Sequence, residues 1–334
     1  MASVSGLAAF FLLPSLCTVA LTSNPVHDQA SVIGQVTITP RAKRGPVPDP
    51  TDVYSARLRV DVPLVLVPVH VDTALGGSVT NLIKEDFQLF EDNIEQTITH
   101  FSKEDGPVSV GLVFDASSSM RDKMRKSAGA VTEFLRTLNP EDEFFLIEFN
   151  ESPRLALAFT QDSAEVQKRI LHTKPLGRTS LLDAIQLALS QMKKARNFRK
   201  AIVILSDGGD NHSRHTESEI RNAIRESDAQ VYAMGILDPN DSTKLAIEEQ
   251  NGPRLLDELA QDSGGRYFPV KSVDDLPGIC VRIGTELRTQ YLLGYSPINA
   301  ARDGKYRRLK VTLAVPALPR LRVFHRLGYY SPSR

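Results

Sequence analysis

The chain has 334 residues, 41% of them hydrophobic, enough to bury a sizeable core and more than one ordinary domain requires. Lys plus Arg and Asp plus Glu number 40 each, so the formal net charge is zero and no overall field draws the chain toward nucleic acid or acidic lipid. A local basic run, "KKARNFRK" from Lys193 to Lys200, sits where a helix should end, and cations there favour the helix dipole.

Residues 1–20 hold an apolar stretch from Leu7 to Leu16 followed by small residues, with Thr18 and Ala20 spaced as a signal-peptidase site requires. They resemble a secretory signal, although no Lys or Arg precedes the apolar run. The stretch is shorter than the roughly 20 apolar residues of a spanning helix, and Pro14, Ser15 and Leu16 make a poor lipidation box before Cys17. The expected mature protein is soluble and exported, to the periplasm, the cell envelope or the medium. Residues 21–52 are rich in Pro, polar and basic residues without a period, and read as a flexible linker. Loss of Cys17 with the signal leaves Cys280 alone, so no intramolecular disulfide is expected. Cys280 shares helical spacing with Ile279, Ile283 and Leu287, which makes it a core residue.

From Tyr54 the sequence "ARLRVDVPLVLVPVHVD" alternates and then runs apolar around Pro63 and Pro68, as edge or bulged strands do. Gly76-Gly77 supplies a turn, and strand-like pieces follow at Phe87–Leu89 and Ile94–Phe101, separated by Glu91-Asp92-Asn93. Near the C-terminus "RRLKVTLAV" and "LRVFHRLGYY" alternate in the same way. Residues 53–105 and 289–334 are therefore expected to form one β-sandwich from both chain ends. His70, His100 and His172 carry no special role in this reading.

At Pro107 the pattern changes. "VSVGLVF", "FFLIEF", "AIVILS" and "VYAMGI" are short, continuously apolar and rich in β-formers, as strands buried on both faces of a parallel sheet must be. Amphipathic stretches lie between them, with Met120, Met124, Val131, Phe134, Leu135 and Leu138 on one helical face and Leu181, Ile185, Leu189 and Met192 on another. This alternation predicts an α/β fold with a doubly wound, mostly parallel sheet over residues 106–288, beside the smaller β-sandwich.

Ligands of such sheets bind at the carboxyl ends of the strands, near the topological switch point. There the sequence reads Asp-x-Ser-x-Ser, with Asp115, Ser117 and Ser119. Thr179 in "LGRTSLLDA" and Asp207 in "ILSDGGDN" stand at equivalent strand ends. Two carboxylates and three hydroxyls suit Mg²⁺ or Mn²⁺, hard cations that take octahedral oxygen ligands and keep some water. Few charged ligands leave the ion able to accept an external carboxylate. The plainer alternative, serines capping the following helix, accounts for one loop but not three.

These residues resemble the von Willebrand factor type A domain, whose metal ion-dependent adhesion site uses Asp-x-Ser-x-Ser, a Thr and an Asp. The resemblance implies that Ser117, Ser119 and Thr179 are direct or switching metal ligands, and that Asp115 and Asp207 act directly or through water. The flanks "IKEDFQLFEDNIEQTITHF", "YLLGYSPINAARDGKYRRLKVTL" and "GYYSP" resemble exported bacterial proteins described as von Willebrand factor A-related. In one departure from the family's Gly-Gly-Thr, Arg178 stands between Gly177 and Thr179. Either its side chain points outward, or a cation beside the metal weakens binding and favours acidic ligands.

Enzyme chemistry finds less support. A haloacid-type phosphotransfer site needs a second Asp two residues after the first, and position 117 is Ser. No Gly-rich phosphate loop or nucleophile elbow occurs. His212 and His215 lie in a polar loop with no third zinc ligand at suitable spacing. The reading is a non-enzymatic, exported, metal-dependent protein-binding module that takes an Asp or Glu carboxylate of its partner. A metal-dependent hydrolase, or a structural envelope-complex subunit with a vestigial site, are the alternatives.

Overall fold

A computed structural model describes residues 64–103, 105–207, 209–236, 247–314 and 321–333. The expected signal segment 1–20, the expected linker 21–52 and Pro63 lie outside them. The first strands are β1 (Val65–Asp72), β2 (Phe87–Glu91), β3 (Ile94–Gln96) and β4 (Ile98–Ser102). The middle of the chain alternates through β5 (Val108–Asp115), α1 (Met124–Arg136), β6 (Glu143–Phe149), β7 (Pro153–Thr160), α2 (Ser163–Leu171), α3 (Leu181–Met192), β8 (Arg199–Ser206), α4 (Glu217–Glu226), β9 (Gln230–Ile236), α5 (Ile247–Ser263), β10 (Arg266–Val270) and α6 (Leu276–Arg288). It ends in β11 (Tyr291–Tyr295), β12 (Tyr306–Leu313), β13 (Arg322–His325) and β14 (Gly328–Tyr330).

The six-stranded central sheet runs β10-β9-β8-β5-β6-β7. Every neighbour pair is parallel except β6 with β7. Strand β5 is wholly buried. Val108, Val110, Leu112 and Phe114 face a core shared with α1, α2 and α6, whereas Val113 faces the core under α3, α4 and α5. Cover on both faces is why the strand sequences are unbroken apolar runs. Gly111 lets β5 and β6 lie close, because a Cβ there would stand 2.4 Å from the Phe145 ring. Strand β7 is the antiparallel edge and mostly half-exposed, so its sequence carries no clean alternation.

Strands from both chain ends build two four-stranded sheets, β13-β1-β11-β4 and β14-β12-β2-β3. They enclose one core containing Val67, Val69, Leu89, Leu293, Tyr295 and Val311. Pro68 sits within β1, which pairs with β11 over Val65–Val69 but with β13 only over Val69–Asp72. Pro68 therefore falls just outside the β13 ladder, which loses no hydrogen bond to its missing N–H. The described residues belong to one compact unit, Val60–Arg334.

A buried charge cluster ties the β1–β13 sheet to the central sheet. Asp72 at the end of β1 accepts from Arg266 Nη2 at 2.5 Å and Arg282 Nη2 at 2.9 Å, and His70 Nε2 lies 2.7 Å from its other oxygen. Both guanidinium groups also reach Glu286, and Arg266 stacks 3.9 Å from the Phe324 ring centroid. Burial alone would raise the Asp72 carboxyl, but hydrogen bonds from His70 and Arg266 and the Arg266 charge hold it far below the usual range. Because its folded pKa is depressed, its stabilisation is complete above the unfolded value of about 3.9 and is lost as pH falls below that. Asp72→Ala, which leaves Arg266 and Arg282 sharing the single carboxylate of Glu286, is expected to cost about 3–5 kcal/mol at pH 7 and much less near pH 2, read from urea unfolding.

Candidate metal centre

Asp115 is the last residue of β5 and Ser206 the last of β8, and these strands are neighbours although a long stretch of chain separates them. From β5 the chain winds outward to β6 and β7, then returns to β8 on the other side and winds on to β9 and β10. The gap between the carboxyl ends of β5 and β8 is thus the switch point of the sheet, where the walls of a ligand crevice diverge.

Asp115 is fully buried. Its Oδ1 accepts from the Ser117 N–H at 2.8 Å and its Oδ2 from the Ser206 hydroxyl at 2.5 Å. The Ser117 and Ser119 hydroxyl oxygens lie 2.9 Å apart, Ser117 buried and Ser119 exposed. Neither hydroxyl caps a helix, since the 3₁₀ turn Ser118–Met120 and α1 both begin without a side-chain cap bond. The capping alternative therefore fails for these serines, whose oxygens are left facing each other beside a buried carboxylate.

Thr179 is drawn in by main-chain bonds from two sides. Leu176 N–H donates to Ala116 O at 2.8 Å and Ser118 N–H to Gly177 O at 3.1 Å, closing the Gly177–Thr179 loop onto the Asp-x-Ser-x-Ser loop. Asn211 and His212 N–H groups both donate to Thr179 O at 3.1 Å, and Thr179 N–H donates to Asn211 Oδ1 at 3.1 Å. The loop after β8 also caps α3, with Leu181 N–H on Asp210 Oδ1 and Asp183 N–H on Ser213 Oγ, both at 3.1 Å. Asp207, the first residue of that loop, is half-buried, and its Oδ2 lies 3.5 Å from Lys123 Nζ. The structure thus gathers Asp115, Ser117, Ser119, Thr179 and Asp207 from three loops to the end of β5 and β8.

Burial, and after it the negative charge of Asp207, push the Asp115 carboxyl up to about 7, against the hydrogen bonds from Ser117 and Ser206. A buried carboxylate strained by a second carboxylate and flanked by hydroxyl oxygens fits a hard divalent cation, which would relieve both costs. Gly177 has φ +83°, and a Cβ there would stand 2.8 Å from Glu151 Cγ. Arg178 needs no such freedom, because among the described residues only Asp92 and Asn93 are non-glycine positions with positive φ. Its side chain is exposed.

Other candidates resolve differently. His215 Nδ1 lies 2.6 Å from Asp183 Oδ1, and the His212 N–H supports Thr179. Among the described residues, the one cluster of three carboxylate or imidazole ligands within 4.8 Å of one another is His70, Asp72 and Glu286. Arg266 and Arg282 fill that cluster and balance its two carboxylates, so a cation has no place there. His70, without a role in the sequence reading, is part of this clamp, and only tertiary contacts bring its partners together. Cys280 is buried with Sγ 3.6 Å from Met234 Sδ, and burial pushes its thiol up to about 12. The basic run ends α3, with Lys194 Nζ on Gln191 Oε1 at 3.1 Å and Arg196 Nε on Glu143 Oε2 at 2.8 Å.

The doubly wound sheet, with carboxylate and hydroxyl oxygens at its switch point, sets the class of fold. Residues 110–209 match the family model described as von Willebrand factor type A domain. A relative, an uncharacterized protein of Borreliella burgdorferi, is 22% identical over 183 residues, covering 48% of this chain and 52% of its own. The chain thus spans about half the length of that relative. The von Willebrand factor type A structure from Catenulispora acidiphila is 13% identical with a TM-score of 0.48, covering 76% of this chain and 74% of that one. Proximal thread matrix protein 1 from the mussel byssus, solved with a zinc-occupied MIDAS motif, is 15% identical with a TM-score of 0.47, covering 59% of this chain and 49% of that one.

The folded pKa of Asp115 lies above the unfolded value of about 3.9, so the folded chain in chelator holds the extra proton and loses stability as pH rises from about 4 to about 7. Ser206→Ala removes a hydrogen bond to the charged form. It is expected to cost about 1–3 kcal/mol at pH 8, to cost less at pH 4, and to move the Asp115 titration further upward, read from urea unfolding and carboxyl NMR.

Proposed function

We propose that this chain is an exported, non-enzymatic protein-binding module of the adhesion type. Asp115, Ser117, Ser119, Thr179 and Asp207 hold Mg²⁺ or Mn²⁺, directly or through water, and a partner supplies an Asp or Glu carboxylate to the ion. The observation that carries this reading is the pair of uncapping serine hydroxyls, 2.9 Å apart, beside a buried carboxylate that lacks a cation of its own among the described residues. Two carboxylates and neutral hydroxyls, acting directly or through water, leave an octahedral ion with water-filled positions, one of which a carboxylate from outside can take, with charge-assisted hydrogen bonds around it. Nucleophilic catalysis is disfavoured by the local bonding: Ser117 and Ser119 bond to each other, and no imidazole of the described residues hydrogen-bonds to either.

Export is supported by the signal-like residues 1–20, and no helix among the described residues is long and apolar enough to cross a membrane. In the proposed layout, signal and linker precede the β-sandwich of 53–105 and 289–334, into which the von Willebrand factor type A domain of 106–288 is inserted.

Calorimetry on the full chain is expected to show Mg²⁺ or Mn²⁺ binding that Ser117→Ala with Ser119→Ala abolishes; unchanged binding in the double variant would remove the ligand assignment. A partner captured by the full chain should be released by EDTA, and Arg178→Gly should alter its affinity without altering the fold. Capture that persists undiminished in EDTA would sink the carboxylate-to-metal mode.

A further inference from the structure

Lys123 takes no part in the ligand set, yet its ammonium pairs with one member of it. Its Nζ lies 3.5 Å from Asp207 Oδ2, and the two side chains are only 17% and 15% exposed. Among the described residues no other cation is within ion-pair range of Asp207, and none is within range of Asp115. The position is fixed by the backbone. Met120 N–H donates to Ser117 O, Arg121 N–H to Ser118 O and Lys123 N–H to Met120 O, a tight turn that carries Ser119 and Lys123 one after the other before α1 begins. Arg121, Asp122 and Arg125 on the same segment are exposed, as is Arg178 on the facing loop.

We infer that Lys123 is a built-in counter-ion of the centre, an ammonium that holds Asp207 in the metal-free protein and that an incoming divalent cation has to displace. The inference rests on Asp207 being a metal ligand. A cation bound by Asp115 and Asp207 would stand within a few ångströms of the ammonium, in a half-buried place where like charges are poorly screened. The four-carbon stem allows the ammonium to swing into solvent once its carboxylate is taken, so the site can fill without refolding. Lys123 then sets the metal concentration at which the centre becomes competent, holding it emptier than its oxygen ligands alone would.

The test is Mn²⁺ titration of the full chain by calorimetry and by electron paramagnetic resonance, on wild type, Lys123→Met, Lys123→Gln, Lys123→Arg and the Ser117→Ala, Ser119→Ala double variant. Removing the charge is expected to tighten Mn²⁺ binding about tenfold in both neutral variants, whereas Lys123→Arg stays within about threefold of wild type. Lys123→Met should also melt at a lower temperature than wild type in chelator and gain more than wild type from saturating Mn²⁺, a pattern that a simple loss of packing does not produce. Unchanged or weaker Mn²⁺ binding in both neutral variants, with wild type binding and the serine double variant silent, overturns the counter-ion role and leaves the ligand assignment standing. Absence of Mn²⁺ binding in wild type, or full binding in the serine double variant, overturns the ligand assignment and the counter-ion role with it.

Discussion

The constraint on which the upper end of the central sheet depends is a carboxylate removed from water. Asp115 ends a strand covered on both faces, and an ionised group there is costly unless every oxygen is met. A backbone N–H from Ser117 and a hydroxyl from Ser206 meet it, and those two donors belong to different strand ends. Meeting Asp115 therefore joins the turn after β5 to the end of β8. Main-chain bonds from Ala116 and Ser118 bring in the Gly177 loop, and Thr179 in turn accepts from Asn211 and His212. Three connections that could each wander are closed on one another around one charged group.

The second charged arrangement works by compensation within the protein. Asp72, Glu286, Arg266 and Arg282 form two opposed pairs at the contact of β1, β10 and α6, with His70 on the outer oxygen of Asp72. Such a cluster contributes little net stability against apolar residues of the same shape, but removal of one member is severe, which makes it a device for register more than for strength. The contrast with the Asp115 centre is chemical. One site brings its own guanidinium cations, whereas the other presents two carboxylates, hydroxyls and a single lysine at the margin.

Within the smaller sheets a similar economy appears at Glu91. Its buried carboxylate accepts from the Tyr295 hydroxyl at 2.5 Å and the Tyr329 hydroxyl at 2.9 Å. The acceptor comes from β2 and the donors from β11 and β14, so this bond set also spans the two chain ends. Polar groups buried between sheets thus fix which strands meet, while Val67, Leu89, Leu293 and Val311 supply the apolar contact.

The sequence by itself determined the α/β winding, because β5, β6, β8 and β9 are continuous apolar runs of a length and residue type that only a doubly covered parallel sheet accommodates. It also singled out Asp115, Ser117, Ser119 and Asp207, since oxygen-bearing side chains directly after buried strands are local features, whereas Thr179, expected at a strand end, lies in the connection between α2 and α3 just before the α3 helix. Tertiary structure decided what local pattern does not encode. Strand β7 is an edge whose residues are mostly half-exposed, and β10 is short and interrupted by Pro269, so neither has a periodic signature. Pro68 reads as an edge residue but lies in a strand with partners on both sides, tolerated because the two ladders overlap only at Val69. His70, Asp72, Arg266, Arg282 and Glu286 meet from positions about 200 residues apart in the chain, and Lys123 meets Asp207 across two loops. Electrostatic partners of this kind are chosen by packing of distant elements, which is why residue type alone could name the candidate ligands but not the charges that surround them.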